Sequence, residues 1–269
     1  QFRLMQDFGT TVVHATPSFL LHVEAKMREA GVKRESLALK RAFAGAEPYS
    51  EDTRRRIESL LGIDVYNSYG LSEMNGPGVA FECQCKKGLH LWEDGYIAEI
   101  INPDTLEPVG EGETGELVLT ILCRRATPIL RYRTRDLTGF YTEPCACGRT
   151  HRRMRRITGR SDDMLIINGV NVFPSQIEEV IMALKEVGNN YLIVVEKEGV
   201  LDRLTVKTEV GPDIFMDDSR PLNMLKERIK AALQASISIS PKVELHEPGA
   251  LPVSEGKAVR VRDTRPRDV

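Results

Sequence analysis

Apolar and polar positions change period several times within the first seventy residues, and each change predicts an element. Thr11 to Ala15 is a short apolar run that reads as a buried strand. At Thr16-Pro17 the pattern becomes helical: a hydroxyl cap is followed by proline at the first helical position, and the helix should run to about Ala30 and stop at Gly31. Leu39 to Ala44 reads as a second strand, closing in Gly45-Ala46-Glu47-Pro48. Ser50-Glu51-Asp52 caps a second helix that ends at Gly62, and Val65-Tyr66-Asn67 opens a third strand. Strand alternating with helix is the rhythm of a parallel α/β sheet.

The texture changes after about Gly78. Residues 97 to 101 and 116 to 120 read as strands joined by turn residues, which predicts an antiparallel subdomain. A basic run, His151 to Arg156, leads to Gly159-Arg160-Ser161-Asp162-Asp163. Beyond it lies a smaller α+β pattern: helix from Pro174 to about Leu184, strands at 191 to 196 and 204 to 209, helix from Leu222 to about Ala235, and a strand at 242 to 246. The expected division is residues 1–160 as part of a large domain and 161–269 as a small C-terminal domain.

The third predicted strand does not end in a plain turn. Asn67-Ser68-Tyr69-Gly70-Leu71-Ser72-Glu73 delivers hydroxyls, a glycine and one carboxylate to a strand end, where α/β sheets bind ligands. Glycine lets a flat ligand approach the backbone, and a lone carboxylate beside a phosphate suits a bridging Mg²⁺. A solvated turn with a surface glutamate explains that stretch alone equally well. Three further stretches shift the balance: Arg131-Tyr132-Arg133-Thr134-Arg135-Asp136, Gly159 to Asn171, and Pro252-Val253-Ser254-Glu255-Gly256-Lys257.

In this order the stretches resemble the adenylate-forming superfamily of acyl-CoA synthetases, adenylation domains and luciferases. Leu91-Trp92-Glu93-Asp94 and Gly169-Val170-Asn171-Val172-Phe173-Pro174 bring the wording closest to the phenylacetate–CoA ligase family. The resemblance spans essentially the whole chain. It implies a truncated large domain, with a parallel sheet and an antiparallel subdomain, followed by a small mobile α+β lid. It implies ATP-dependent ligation of an arylacetic acid to coenzyme A through an acyl-adenylate. Gly45, Ala46, Glu47 and Pro48 would line the adenine, and Asn67, Ser68, Tyr69, Gly70 and Ser72 would lie against the adenylate. Glu73 would hold Mg²⁺, Asp136 and Arg160 would meet the ribose, and Gly169 would face the cofactor. Asp162 would be the hinge, and Lys257 would act on the acyl phosphate during adenylation. The family's Gly/Ser/Thr-rich phosphate loop is not among these 269 residues and is expected upstream, so the fragment alone should be inactive. Val253 and Asn168 stand where relatives often carry basic residues.

The five cysteines, an odd number with two C-x-C pairs, fit metal ligation in a reducing cytoplasm better than a disulfide framework. Cys83, His90, Cys145 and Cys147 are the expected ligands of a structural Zn²⁺, with Cys85 as alternate and Cys123 in the core. The formal net charge of -2 argues against a general nucleic-acid binder, and no apolar run reaches membrane-spanning length. Two other readings stay open: an adenylyltransferase acting on a deazaflavin phenol, and a noncatalytic zinc-stabilised nucleic-acid module built on Cys145 to Arg156. The partner is a small aryl acid, and a homodimer is compatible with the pattern.

Overall fold

The computed structural model describes residues 1–211, 219–252 and 258–266. The chain divides into two compact units: Gln1–Pro48 with Arg54–Asp162, and Tyr49–Thr53 with Asp163–Val269.

The first unit opens with α1 (Phe2–Asp7), β1 (Val12–Ala15), α2 (Pro17–Glu29), β2 (Arg41–Ala44), α3 (Glu51–Leu61) from Arg54 onward, and β3 (Asp64–Leu71). The predicted caps form: Thr16 Oγ1 accepts the Phe19 N–H at 3.2 Å, and Ser50 Oγ accepts the Thr53 N–H at 3.2 Å. β1, β2 and β3 pair in parallel, and β4 (Gly76–Glu82), β5 (Leu89–Leu91) and later β9 (Arg153–Met154) extend the same sheet antiparallel. A second sheet holds β6 (Tyr96–Ile101), β7 (Gly115–Ile121), β8 (Tyr132–Thr138) and β10 (Gly159–Arg160), in the order β10-β8-β7-β6. Between the sheets lies a core of Met74, Leu89, Leu91, Leu117, Leu119 and Met154, all nearly solvent-free. β1 departs from the buried strand expected of it: His14 and Val12 are exposed, because it is an edge strand.

The second unit begins with a hairpin, β11 (Leu165–Ile167) and β12 (Val170–Val172), turned at Asn168 and Gly169. Both turn residues have positive φ, 49° and 84°, as the tight Asn-Gly hairpin turn requires. Asn168 is pinned: its Oδ1 accepts the Asp202 N–H at 2.7 Å and its Nδ2 donates to the Asp202 carbonyl at 2.9 Å. There follow α4 (Pro174–Met182), β13 (Val187–Glu198), β14 (Leu201–Val210), α5 (Ser219–Ile237), β15 (Lys242–His246) and β16 (Val261–Asp263), the strands ordered β15-β14-β13-β16. Ile177, Ile181, Ile193, Val206 and Ile229 are solvent-free in its core.

Candidate nucleotide site and thiol cluster

The β3 end is shaped by close backbone approach. A Cβ on Gly45 would lie 2.3 Å from the Ser68 carbonyl oxygen, and one on Gly70 2.3 Å from that of Gly76, so both positions exclude side chains. Beyond Gly45 the chain turns through Ala46 at φ 66°, and Glu47 accepts from the Ser18 hydroxyl at 2.7 Å. Pro48 closes this segment. Asn67 is buried, its N–H donating to Glu82 at 2.6 Å. Ser68, also buried, meets His14 Nε2 at 2.8 Å. Ser72 and Glu73 are exposed, in a 3-10 turn, Ser72–Met74, that Met74 anchors in the core.

The structure brings Tyr69 and Asp136 together across 67 residues: the Tyr69 hydroxyl donates to Asp136 Oδ2 at 2.6 Å. Burial, and then the neighbouring Asp136 charge, push the Tyr69 phenol well above its ordinary range, so it stays a donor. Arg160, paired with Asp136 across β8 and β10, donates to Asp136 Oδ1 at 3.2 Å. The remaining edge of the same guanidinium grips Asp162 through Nε and Nη2, both at 2.9 Å, and holds that carboxyl below its usual value. Asp136 lies inside β8.

Four residues without an assigned role in the sequence reading complete the surroundings. The Tyr132 hydroxyl reaches Glu73 Oε1 at 3.4 Å, and Arg124 donates to the Glu73 carbonyl at 2.7 Å. Glu116 is solvent-free and receives Arg133 through two bonds of 2.9 and 2.7 Å. Burial alone would raise the Glu116 pKa; the Arg133 hydrogen bonds, then the charges of Arg133 and Arg135, outweigh it and hold the carboxyl low. Tyr132 and Arg133 were in view in the Arg131-to-Asp136 stretch, but only the fold shows what they touch. Gly169 lies in the second unit, at the hairpin turn, with open space where a Cβ would stand. Lys257 and Val253 lie outside the described residues.

Cys83, His90, Cys145 and Cys147 converge, their ligand atoms all within 4.8 Å of one another. Cys83 Sγ lies 3.7 Å from Cys145 Sγ, and Cys147 Sγ lies 3.4 Å from His90 Nε2. A tetrahedral Zn²⁺ with its usual bond lengths sets S···S at ~3.8 Å and S···N at ~3.5 Å, so the spacing fits that ion. Burial pushes the Cys83 thiol up to about 12, while the Arg149 backbone N–H draws Cys147 down to about 6. The buried His90 Nδ1 has no partner, leaving Nε2 as the nitrogen turned to the thiols. Cys85 is half-buried and outside the group. Cys123 is exposed beyond the end of β7, not in the core as its apolar neighbours suggested. The basic run beside this cluster is largely drawn into the fold: Arg152 stacks on Phe140 at 3.7 Å and Arg153 on Tyr141 at 4.2 Å.

Two family models match the chain: "AMP-binding enzyme" over residues 1–120 and "AMP-binding enzyme C-terminal domain" over residues 169–265. Phenylacetate-coenzyme A ligase of Thermus thermophilus is 44% identical over 98% of this chain and 63% of its own length. The chain belongs to the AMP-binding, adenylate-forming enzymes. The Escherichia coli K12 phenylacetate-coenzyme A ligase is 41% identical over 98% of this chain and 60% of its own. The chain thus spans about three-fifths of the length of the phenylacetate-coenzyme A ligases it matches. Among solved structures, a 2-hydroxyisobutyryl-CoA ligase in its postadenylation state superposes with a TM-score of 0.90 at 28% identity, over 97% of this chain and 56% of that one. The mixed parallel and antiparallel architecture is therefore that of adenylate-forming enzymes. No helix among the described residues is long and apolar enough to cross a membrane.

Proposed function

We propose that this chain carries the nucleotide-binding and lid portions of an acid–thiol ligase of the phenylacetate–CoA ligase type. The complete enzyme would join an arylacetic acid to coenzyme A. The substrate carboxylate attacks the α-phosphate of ATP, releasing pyrophosphate, and the coenzyme A thiol then displaces AMP from the acyl-adenylate. The observation that carries this reading is Asp136, held between Tyr69 and Arg160 beside the turn that bears Glu73. A carboxylate offers about four acceptor positions, so one fixed in place by a phenol and a guanidinium suits a pair of vicinal hydroxyls, the chemistry of a ribose.

In this reading Gly45 to Pro48 and Asn67 to Ser72 line the base and the α-phosphate, and Glu73, steadied by Tyr132 and Arg124, is the Mg²⁺ acid. Bound Mg²⁺ would neutralise phosphate charge. Lys257 would meet the acyl phosphate, and Gly169 the cofactor. Cys83, His90, Cys145 and Cys147 would hold a structural Zn²⁺ that joins the β4–β5 turn to the loop before β9.

The test has two arms. AMP binding to this chain, measured by calorimetry, should weaken roughly 10–100-fold in Asp136→Ala, the worth of hydrogen bonds to a charged group. Unchanged affinity would remove Asp136 from the site. In a full-length ligase bearing these residues, phenylacetate with Mg·ATP and coenzyme A should give thioester. With a deazaflavin offered beside phenylacetate, an adenylyl ester of its phenol as the product in place of thioester would replace the ligase reading.

A further inference from the structure

The long hairpin of the second unit is irregular near one end. Tyr191 to Val195 is a continuously buried apolar run, as a well-covered strand should be. Just before it stand Gly188, Asn189 and Asn190, small or polar residues in the same strand. The ladder shows their effect: Val187 pairs with Val210 and Tyr191 with Thr208, so these three residues of β13 face Glu209 alone. Glycine at 188 relieves the crowding, since a Cβ there would lie 3.0 Å from the Glu209 Cβ. A bulge of this kind takes residues out of the ladder and re-aims their side chains.

The re-aimed Asn190 amide joins two stretches that are remote from it in sequence. Its Nδ2 faces the carbonyls of Leu251 and Pro252 at 3.3 and 3.4 Å and Glu209 Oε1 at 3.3 Å. Its Oδ1 accepts from Arg260 Nη1 at 2.5 Å. A guanidinium only donates and a carbonyl only accepts, so these neighbours fix which way the amide points. Each stretch has further anchors. Leu251 is buried and donates its N–H to Glu209 Oε1 at 2.9 Å. Arg260 donates to the Tyr191 carbonyl at 3.3 Å and lies over the Tyr191 ring at 4.6 Å. Its own carbonyl accepts the Ile193 N–H at 2.8 Å, just before β16 begins. Leu251 and Pro252 precede the segment that contains Lys257, and Arg260 follows it.

We infer that Asn190 is a positioning residue for Lys257: by tying Leu251 and Pro252 to Arg260, it sets where the chain enters and leaves the segment that bears the lysine. A lysine places its charge on a flexible four-carbon stem, so its aim depends on the backbone beneath it. Asparagine suits the task because one short planar group offers a donor edge and an acceptor edge. Aspartate has the same shape but would turn an anion toward two carbonyls and Glu209. The role of Lys257 rests on the ligase reading; the clasp at Asn190 stands without it.

Two measurements test the inference. In this chain, hydrogen exchange at the Leu251 and Ile193 amides, whose bonds hold the two stretches, should quicken several-fold in Asn190→Ala and in the isosteric Asn190→Asp. The amides that pair β14 with β15 should keep their rates. Equal exchange in wild type and variants overturns the clasp. In a full-length ligase bearing these residues, both variants should slow pyrophosphate release from phenylacetate and Mg·ATP by roughly 10–100-fold, the scale of a small misplacement of a reacting group. Thioester formation from supplied phenylacetyl-AMP should stay within a few-fold. In a Lys257→Ala background the same substitutions should add nothing, because their effect passes through the lysine. Unchanged pyrophosphate release, additive losses, or equal loss of both half-reactions overturns the positioning role. If Lys257→Ala itself leaves pyrophosphate release intact, the ligase assignment of that lysine fails and the positioning role with it, while the exchange rates still decide the clasp.

Discussion

Around Asp136 each charge has found an opposite charge or a phenol, whereas around His90 three sulfurs and an imidazole crowd into one space. The first cluster is assembled from within the chain: Tyr69 comes from β3, Asp136 from β8 and Arg160 from β10, and the bonds among them fix the carboxylate in place before any ligand arrives. The second packs thiols as close as 3.7 Å and leaves His90 Nδ1 without a partner. The difference separates preorganisation from dependence. A cluster fixed in this way costs a ligand little reorganisation, because its geometry is already set. A converging set of soft ligands gains most of its stability only when an ion replaces the protons.

The sharpest way to break that comparison is at Cys145. Cys145→Ser, or chelation of the wild type, is expected to strip bound zinc and lower stability by on the order of 5 kcal/mol, a fraction of the ~10–16 kcal/mol seen in zinc-finger peptides. Metal analysis beside thermal melts checks this; a metal-free protein with an unchanged melting temperature would refute it. AMP affinity measured below the new transition should stay within a few-fold if the two clusters are independent.

Next in size is Glu116→Gln, which removes the charge of a solvent-free carboxyl that the part-exposed Arg133 grips through two hydrogen bonds. Here pH adds a sign. The folded carboxyl sits below the ordinary glutamate value of about 4.3, so its contribution is present above that value and is lost as pH falls through the folded pKa. The acid limb of the melting temperature against pH should flatten in the variant. An unchanged acid limb would show that Glu116 is not held as an anion.

The smallest effect is expected from Arg160→Lys. A lysine keeps the charge but cannot grip Asp162 in fork geometry and reach Asp136 at once. AMP binding should weaken by roughly tenfold or less, about 1 kcal/mol for a part-exposed pair. A larger loss than in Asp136→Ala would make Arg160 the principal ligand.

Much of this arrangement is legible in the chain itself. The caps at Thr16 and Ser50 act locally, so hydroxyl spacing shows them. The positions Tyr69, Asp136 and Arg160 stand out because they sit in distinctive stretches, and the cysteine pairs because sulfur is scarce. Their contacts are another matter, since the Tyr69 bond closes 67 residues and the Arg133–Glu116 pair closes 17 through a bulged register. Glu116 lies in an apolar strand, where a lone acid gives no sign of what it faces. Strand polarity misled at Val12 and His14, because an apolar edge strand reads like a central one. Cys123 misled for a similar reason: its neighbours set the texture, but it falls just past the last ladder bond.

The turn at Asn168 and Gly169 has a bearing on how the protein ages. Asn-Gly pairs are the sequences most prone to cyclise, the glycine nitrogen attacking the asparagine side-chain carbonyl to give succinimide and then isoaspartate. That attack needs the amide group to swing over its own backbone. In this protein both ends of the amide are engaged by the Asp202 main chain, at 2.7 and 2.9 Å, which holds it away from Gly169. The clasp that shapes the hairpin should therefore also slow its chemical decay. Peptide mapping after prolonged storage would find little isoaspartate at position 168 in the native fold and rapid accumulation once the chain is denatured; equal rates in both would mean that the clasp gives no protection.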